Sequence, residues 1–230
     1  MKTHFVITGA GRGIGFELAK QALAGGAQVT ALAREPLKAA KLQALHRDYP
    51  DTLKLLPADV TSDASIESLL RMLEDRAIDV LINNAGAYLD DDANFERLPL
   101  QNVMDNFAIN AVGPMRVTRA LLPHLKKSKQ PKLIHITSLM GSITDNQGGG
   151  SYAYRMSKAA LNMFAKSFSR DYPAITTLVI HPGWVKTDMG GDNAPTLPSE
   201  SASGILKVIV GSSPKKSGHF YDFEGNELPW

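Results

Sequence analysis

Short apolar runs alternate with longer stretches of helical spacing along most of the chain. The runs at 4–8, 28–33, 53–57, 79–83, 132–137, 177–181 and 218–223 predict strands. The interior ones are nearly continuous in apolar residues, the pattern of strands covered on both faces. Between them, 14–24, 36–49, 63–75, 100–127, 152–171 and 201–210 have helical spacing and composition. Asp63 is read as an N-cap and Pro36 as a first-turn residue. Alternation of this kind predicts parallel strands with right-handed crossovers, hence an α/β, doubly wound sheet of about seven strands with helices on both faces. No linker, internal repeat or low-complexity segment divides the chain, so 1–230 reads as a single domain. The Gly/Ser-rich pieces at 145–151 and 190–203 are short enough to be functional loops.

Composition changes this picture little: 230 residues, 43% hydrophobic and 21% charged, is ordinary for a globular protein. Net charge is +2, from 25 basic and 23 acidic residues, which gives no electrostatic reason to invoke nucleic acid or an anionic membrane. The lysines at 126, 127, 129 and 132 and the pair at 215 and 216 read as solvated loops. There is no cysteine. Disulfides, zinc–thiolate sites and cysteine nucleophiles are therefore excluded. No metal site is expected, and no apolar run approaches the ~18 residues of a membrane span. The start, Met1 to Ile7, reads as the first strand rather than a leader, because Thr8 and the following glycines end it early. A cytoplasmic location is expected.

The first candidate chemistry is Thr8-Gly9-Ala10-Gly11-Arg12-Gly13-Ile14-Gly15, between the first strand and the first helix. Glycines there let the chain turn sharply and bring backbone N–H groups to a pyrophosphate, with the helix N-terminus adding positive charge. Ile14 stands where the common G-x-G-x-x-G pattern needs its third glycine, so the pattern is T-G-x-x-x-G-x-G. The plainer reading is a tight corner; its place after the first strand of a parallel sheet favours a dinucleotide site. The second strand ends Leu32-Ala33-Arg34, with no carboxylate before Glu35. An acidic residue there would bind ribose hydroxyls and repel a 2′-phosphate, whereas Arg34, with Arg12, can pair such a phosphate. The expected cofactor is NADP rather than NAD.

Several motifs occur in one order: the glycine turn, Asp59-Val60, Asn83-Asn84-Ala85-Gly86, Ser138, Tyr154-x-x-x-Lys158 and Pro182-Gly183. In this the whole chain resembles the short-chain dehydrogenases/reductases. The resemblance implies a Rossmann-type fold, with Gly9, Gly11, Arg12, Gly13 and Ile14 at the cofactor phosphates. It places Asp59 and Val60 beside the adenine, and Asn84, Ala85 and Gly86 along the groove. After Pro182 and Gly183, Val185 and Thr187 would meet the nicotinamide end. The segments around Tyr154 and Pro182, with the ending Leu228-Pro229-Trp230, are similar to the branch of sniffer-type carbonyl reductases and bacterial C-factor proteins.

Reducing a carbonyl takes a hydride on carbon and a proton on oxygen. A phenol is a poor acid at neutral pH, and a neighbouring ammonium lowers its pKa. Tyr154 and Lys158 stand one helical turn apart on a predicted helix, hence on one face. Alone, the pair reads as an interfacial tyrosine with a snorkelling lysine. Tyr152 is a decoy, since Met156 occupies its lysine position. Ser138 ends the fifth strand at the carboxyl edge and, by resemblance, bonds the carbonyl and the tyrosine hydroxyl; Ser142 is the alternative. The gap to Tyr154 is longer than the family's, with 145–150 as the insertion. Asn110, in the helix 100–127, either satisfies a buried hydrogen bond or, by resemblance, holds water in a proton relay through the lysine.

Substrate walls are expected from 87–92, 140–143, Trp184 and 189–195, combining Tyr88, Leu89, Met140, Ile143 and Trp184 with the acidic run at 90–92. They name no substrate beyond an aldehyde or ketone with some apolar bulk. The helix 152–171 is apolar on more than one face, which with the resemblance predicts a homo-oligomer, a dimer. Two rivals remain. One is an NADP-binding signalling or sensor protein. The other is an extended-type epimerase or dehydratase, for whose larger C-terminal substrate domain the chain leaves no room.

Overall fold

A computed structural model describes residues 2–73, 75–89 and 94–230. Seven strands form one sheet: β1 (His4–Thr8), β2 (Gln28–Ala33), β3 (Leu53–Pro57), β4 (Val80–Asn83), β5 (Lys132–Ile136), β6 (Thr176–His181) and β7 (His219–Asp222). Their order is β3-β2-β1-β4-β5-β6-β7, and every adjacent pair is parallel. The chain builds outward from β1 to β3, then returns to lay β4 on the other side of β1. Loops leaving β1 and β4 therefore diverge and open a crevice at the carboxyl edge, the usual ligand position in such sheets.

The helices are α1 (Gly13–Ala24), α2 (Ala40–Asp48), α3 (Asp63–Met72), α4 (Leu100–Phe107), α5 (Gly113–Leu125), α6 (Tyr152–Asp171) and α7 (Pro198–Val210). Successive strand residues point to opposite faces. Ile7, Val29, Ile82, Ile134 and Ile180 form one core with Leu18 of α1 and Ile205 of α7. Val6, Leu81 and Leu133 form the other with Leu69 of α3, Leu121 of α5 and Phe168 of α6. Burying each such side chain contributes ~1.5–3 kcal/mol.

Several predicted boundaries move, each for a local reason. The stretch 36–49 is two elements, a 3-10 turn at Pro36–Lys38 and α2, separated by Ala39 at ψ 87°. Asp63 is not the N-cap of α3. Ser62, in extended conformation, takes that role, its hydroxyl accepting the Ser65 N–H at 3.2 Å, and Asp63 sits in the first turn. The predicted helix 100–127 is interrupted by a π-helical turn at Ala108–Val112. The last helix begins at Pro198, three residues earlier than its apolar spacing indicates, with Pro198 in the first turn and the Glu200 carboxylate accepting the Leu197 N–H at 3.0 Å. Among the described residues no helix is long and apolar enough to cross a membrane, and no group of three or more His, Asp or Glu could hold a metal.

Candidate active site

The turn between β1 and α1 is shaped by contacts that leave no space for side chains. Gly9 and Gly13 have φ of 66° and 55°, in the left-handed region. A Cβ on Gly9 would lie 2.8 Å from Ala85 Cα, and one on Gly15 would lie 2.4 Å from the Gly9 carbonyl oxygen. Thr8 Oγ1 accepts the N–H groups of Asn84 and Ala85, both at 3.0 Å. Asn84 Nδ2 donates to the carbonyls of Thr8 and Gly9 at 3.0 and 3.3 Å. Asn84 thus braces the turn from β4. The N-terminus of α1 carries no side-chain cap at Arg12, which leaves its first N–H groups to an external acceptor.

Around this turn the other cofactor candidates fall into two groups. Arg34, exposed at the end of β2, lies near Asp59, whose carboxyl is held below its usual value by hydrogen bonds from the Thr61 hydroxyl and N–H and, more weakly, by the charges of Arg34 and Arg116. Glu35 is engaged by Lys38. Val60 is clasped from α5: Arg116 donates to its carbonyl at 2.7 Å, and a Cβ on Gly113 would lie 2.9 Å from its Cγ2. On the far side, Thr187 Cγ2 would stand 3.3 Å from a Cβ on Gly13, and Asp188 forms an ion pair with Arg12. Val185 is buried and bridges to Thr196. Gly183 has φ 85° and abuts the Phe223 ring.

The chemistry-bearing side chains meet where β4 and β5 end. Tyr154 and Lys158 share the buried face of α6, with Lys158 Nζ 5.6 Å from the Tyr154 ring centroid. Lys158 Nζ donates to the Ile136 carbonyl at 3.0 Å, and Gly86 passes close to it. The Tyr154 hydroxyl is hydrogen-bonded with Ser138. Ser142 is turned away, its buried hydroxyl accepting the Asp145 N–H at 3.0 Å. Tyr152 faces outward against Phe95 at 5.2 Å. Asn110 lies in the π-helical turn, fully buried. Its Nδ2 donates to the Ala87 carbonyl, Ser157 Oγ and Asn106 Oδ1 at 2.8, 3.0 and 3.3 Å, while its Oδ1 accepts the Ala87 N–H at 2.9 Å. That side chain is occupied by protein partners, so what it does in this structure is fix the backbone after β4.

Comparison with known proteins identifies the family. The family described as short chain dehydrogenase matches residues 3–197. The chain belongs to the short chain dehydrogenase family. Within it, the chain is 48% identical over 161 residues to C-signal of Myxococcus xanthus, covering 66% of this chain and 93% of that one. The structure of the carbonyl reductase Sniffer of D. melanogaster superposes with a TM-score of 0.93 at 32% identity, covering both chains completely. The NADPH-bound carbonyl reductase from chicken fatty liver gives a TM-score of 0.92 at 35% identity, covering all of this chain and 95% of the other. These relatives are similar to the chain in the sniffer-type and C-factor branch of this oxidoreductase family.

The electrostatics of this short chain dehydrogenase depart from the expectation that the ammonium lowers the pKa of the phenol. Burial pushes Tyr154 up to about 12; the Ser138 hydrogen bond pulls it down and Tyr88 pushes it further up. Burial also brings Lys158 down to about 8. Desolvation is therefore the dominant cause at both groups. His135 on β5 is driven down to about 3, by burial first and then by the charge of Lys158, and so stays neutral.

Several residues around the site were not singled out from the sequence. Asn162, one turn beyond Lys158, accepts the Thr137 hydroxyl at 2.7 Å and donates to the Gly141 carbonyl at 3.2 Å, clasping the segment that carries Ser138 onto α6. Asp188 and Ser157 pair with Arg12 and Asn110. Only an exposed acid beside Pro182-Gly183 and polar residues on the buried face of α6 hinted at them. The expected walls Tyr88, Ile143 and Trp184 surround the strand ends and are exposed. The acidic run at 90–92 lies outside the described residues. A cleft of about 710 Å³ lined by Gln21, Ser203, Lys207 and Phe223 lies between α1 and α7 and includes none of the site residues.

Proposed function

We propose that this protein is an NADP-dependent carbonyl reductase that converts an aldehyde or ketone to an alcohol, with Tyr154 as the proton donor. The observation carrying this reading is the joining of Tyr154, Ser138 and Lys158 beside a glycine turn that excludes side chains. Gly9, Gly11, Gly13 and Ile14 would hold the pyrophosphate on backbone N–H groups and the open end of α1. Arg34 and Arg12 would take the 2′-phosphate. Arg12 first has to leave Asp188, and an exposed ion pair is worth only ~0–1 kcal/mol. Asp59 and Val60 would flank the adenine, and Asn84, Ala85 and Gly86 the groove. Pro182, Gly183, Val185 and Thr187 would meet the nicotinamide end. When bound, the reduced dinucleotide supplies the hydride.

The chain's own residues then have distinct tasks. Ser138 donates a hydrogen bond to the substrate carbonyl oxygen and keeps it beside Tyr154. Tyr154, protonated well past neutral pH, delivers its proton to that oxygen as the negative charge develops. Lys158 holds the ribose and stabilises the resulting phenolate while charged, a condition met below pH about 8. Asn110 keeps Gly86 and Ala87 in place and, through its turn of helix, is assigned the water of the proton relay.

We also assign a homodimer, supported by the exposed apolar side chains Leu100, Met104, Met115, Met156 and Met163 on α4, α5 and α6. One preparation tests both assignments. NADPH oxidation is followed against aldehydes, ketones and quinones, with NADH as the competing cofactor. Turnover is expected with NADPH, and Tyr154→Phe should bind NADPH yet lose at least 10³-fold in kcat. Turnover retained in Tyr154→Phe refutes its role as proton donor, and a clear NADH preference refutes the NADP assignment; sedimentation as a monomer refutes the dimer. A second reading, a dinucleotide-binding signalling protein, is favoured by the identity to C-signal. Absence of turnover on every carbonyl, with NADPH still bound, would select it.

A further inference from the structure

Tyr154 is faced by Ser138 after β5, by Lys158 on its own helix and by Tyr88 after β4. The proposed reaction uses the first two, whereas Tyr88, expected only as a substrate wall, has no part in its chemistry. Its ring centroid lies 5.0 Å from that of Tyr154 with the planes tilted by 60°, within the range of a favourable aromatic pair. Tyr88 is 38% exposed and Tyr154 8%, so the outer ring shields the inner one. Tyr88 also starts from a fixed point, because both backbone groups of Ala87 are held by Asn110.

The other end of Tyr88 is held as well. Its hydroxyl is 2.9 Å from Ser151 Oγ. Ser151 immediately precedes α6, and its carbonyl accepts the Arg155 N–H at 2.9 Å. Among the described residues it is the one non-glycine with positive φ, at φ 46° and ψ 44°. Gly149 and Gly150 before it have φ of 63° and 64°, and an added Cβ on either meets nothing within 4 Å. Open space thus surrounds a run in which glycine would be the unstrained residue at the next position also. A serine there costs about 1–2 kcal/mol of backbone strain. What serine adds over glycine is the hydroxyl that meets Tyr88.

From this geometry we infer that Tyr88 is a positioning residue for Tyr154, tethered by its hydroxyl to Ser151 across the mouth of the site. The tether joins the exit of β4 to the start of α6, three residues before Tyr154. It restricts the Tyr88 ring to the place where it packs on Tyr154, and so keeps the inner phenol directed at Ser138. The inference rests on the assigned role of Tyr154.

Tyr88→Phe keeps the ring and removes the tether; Ser151→Gly removes the tether and relieves the strained backbone. Both are measured with NADPH and a turned-over carbonyl substrate, alongside the double variant and Tyr154→Phe. Each single variant should lose roughly tenfold in kcat, with substrate KM and NADPH affinity within about twofold of wild type. Ser151→Gly should melt at or above the wild-type temperature, so its lost turnover would not be lost stability. The double variant should be no slower than either single one, because both cut the same bond. Wild-type kcat in Tyr88→Phe or Ser151→Gly, while Tyr154→Phe is inactive, overturns the inference and leaves the proposed function standing. So does a double variant whose loss is the product of the two single losses. Turnover kept in Tyr154→Phe overturns both readings. Should Tyr88→Phe fail to fold, Ser151→Gly alone decides the matter.

Discussion

The turn after β1 and the loops after β5 and β6 lie on the same edge of one sheet and are built in opposite ways. The turn is defined by what it lacks. Gly9 and Gly15 sit where a Cβ would strike backbone, and Asn84 and Thr8 bind backbone rather than present free groups. The rim is defined by what it displays. Ile143 is 81% exposed, every residue at 143–150 is exposed, and Trp184 is more than half exposed, its Nε1 donating to the Gly190 carbonyl at 2.8 Å. A site made of backbone tolerates no added atom, whereas a rim made of free side chains tolerates exchange. Recognition of a constant cofactor suits the first, and selection among carbonyl compounds suits the second.

The sharpest way to break this contrast is Gly15→Ala. Its methyl would be driven against the Gly9 carbonyl and Asn84 Nδ2, so the turn has to move. NADPH affinity measured by fluorescence titration should fall at least 100-fold, with about 3 kcal/mol of folding stability lost in urea. Near-normal affinity would show the turn to be adaptable and remove the contrast.

Lys158 connects the two regions, and its effect on stability should be intermediate. Its folded pKa of about 8 is below the ordinary 10.5. The unfolded chain therefore holds an extra proton between those values, and stability from this group rises with pH across that window. Below pH 8 the buried ammonium exerts its full cost. Lys158→Met should consequently stabilise the protein at pH 7, by about 2 kcal/mol after allowing for the lost bond to Ile136, while turnover collapses. In urea unfolding the gain should shrink as pH approaches 10.5. A gain that is constant with pH would place its origin in packing instead.

The smallest effect belongs to the rim. Ile143→Ala should leave stability within about 0.5 kcal/mol of wild type. Its kcat/KM should change by less than about tenfold, and differently for bulky and small carbonyls. A uniform loss across substrates would mean that Ile143 supports the machinery rather than the choice of substrate.

This contrast also explains what could be read beforehand. The helix Tyr152–Asp171 has the bounds its helical spacing and composition predict. The glycine turn was legible because steric exclusion writes itself as glycine. The stretch 100–127 misled: nothing in Asn-Phe-Ala-Ile-Asn-Ala shows that the helix widens into a π turn where Asn110 binds both backbone groups of Ala87. Those partners lie 23 positions earlier, and spacing arguments see only neighbours. Ser138 was favoured over Ser142 by the Ile-Thr-Ser strand ending, but what brings its hydroxyl to Tyr154 is the packing of α6, which spacing does not show.

The sequence by itself determined the alternation of strands and helices, the place of the glycine turn and the common face of Tyr154 and Lys158. Each of these depends on residues close together in the chain. Tertiary structure alone decided that burial raises the phenol's pKa, and that Tyr88 packs on Tyr154 while bonded to Ser151. Desolvation and hydrogen bonding depend on what surrounds a group in space, and those surroundings come from β4, β5 and α6 together.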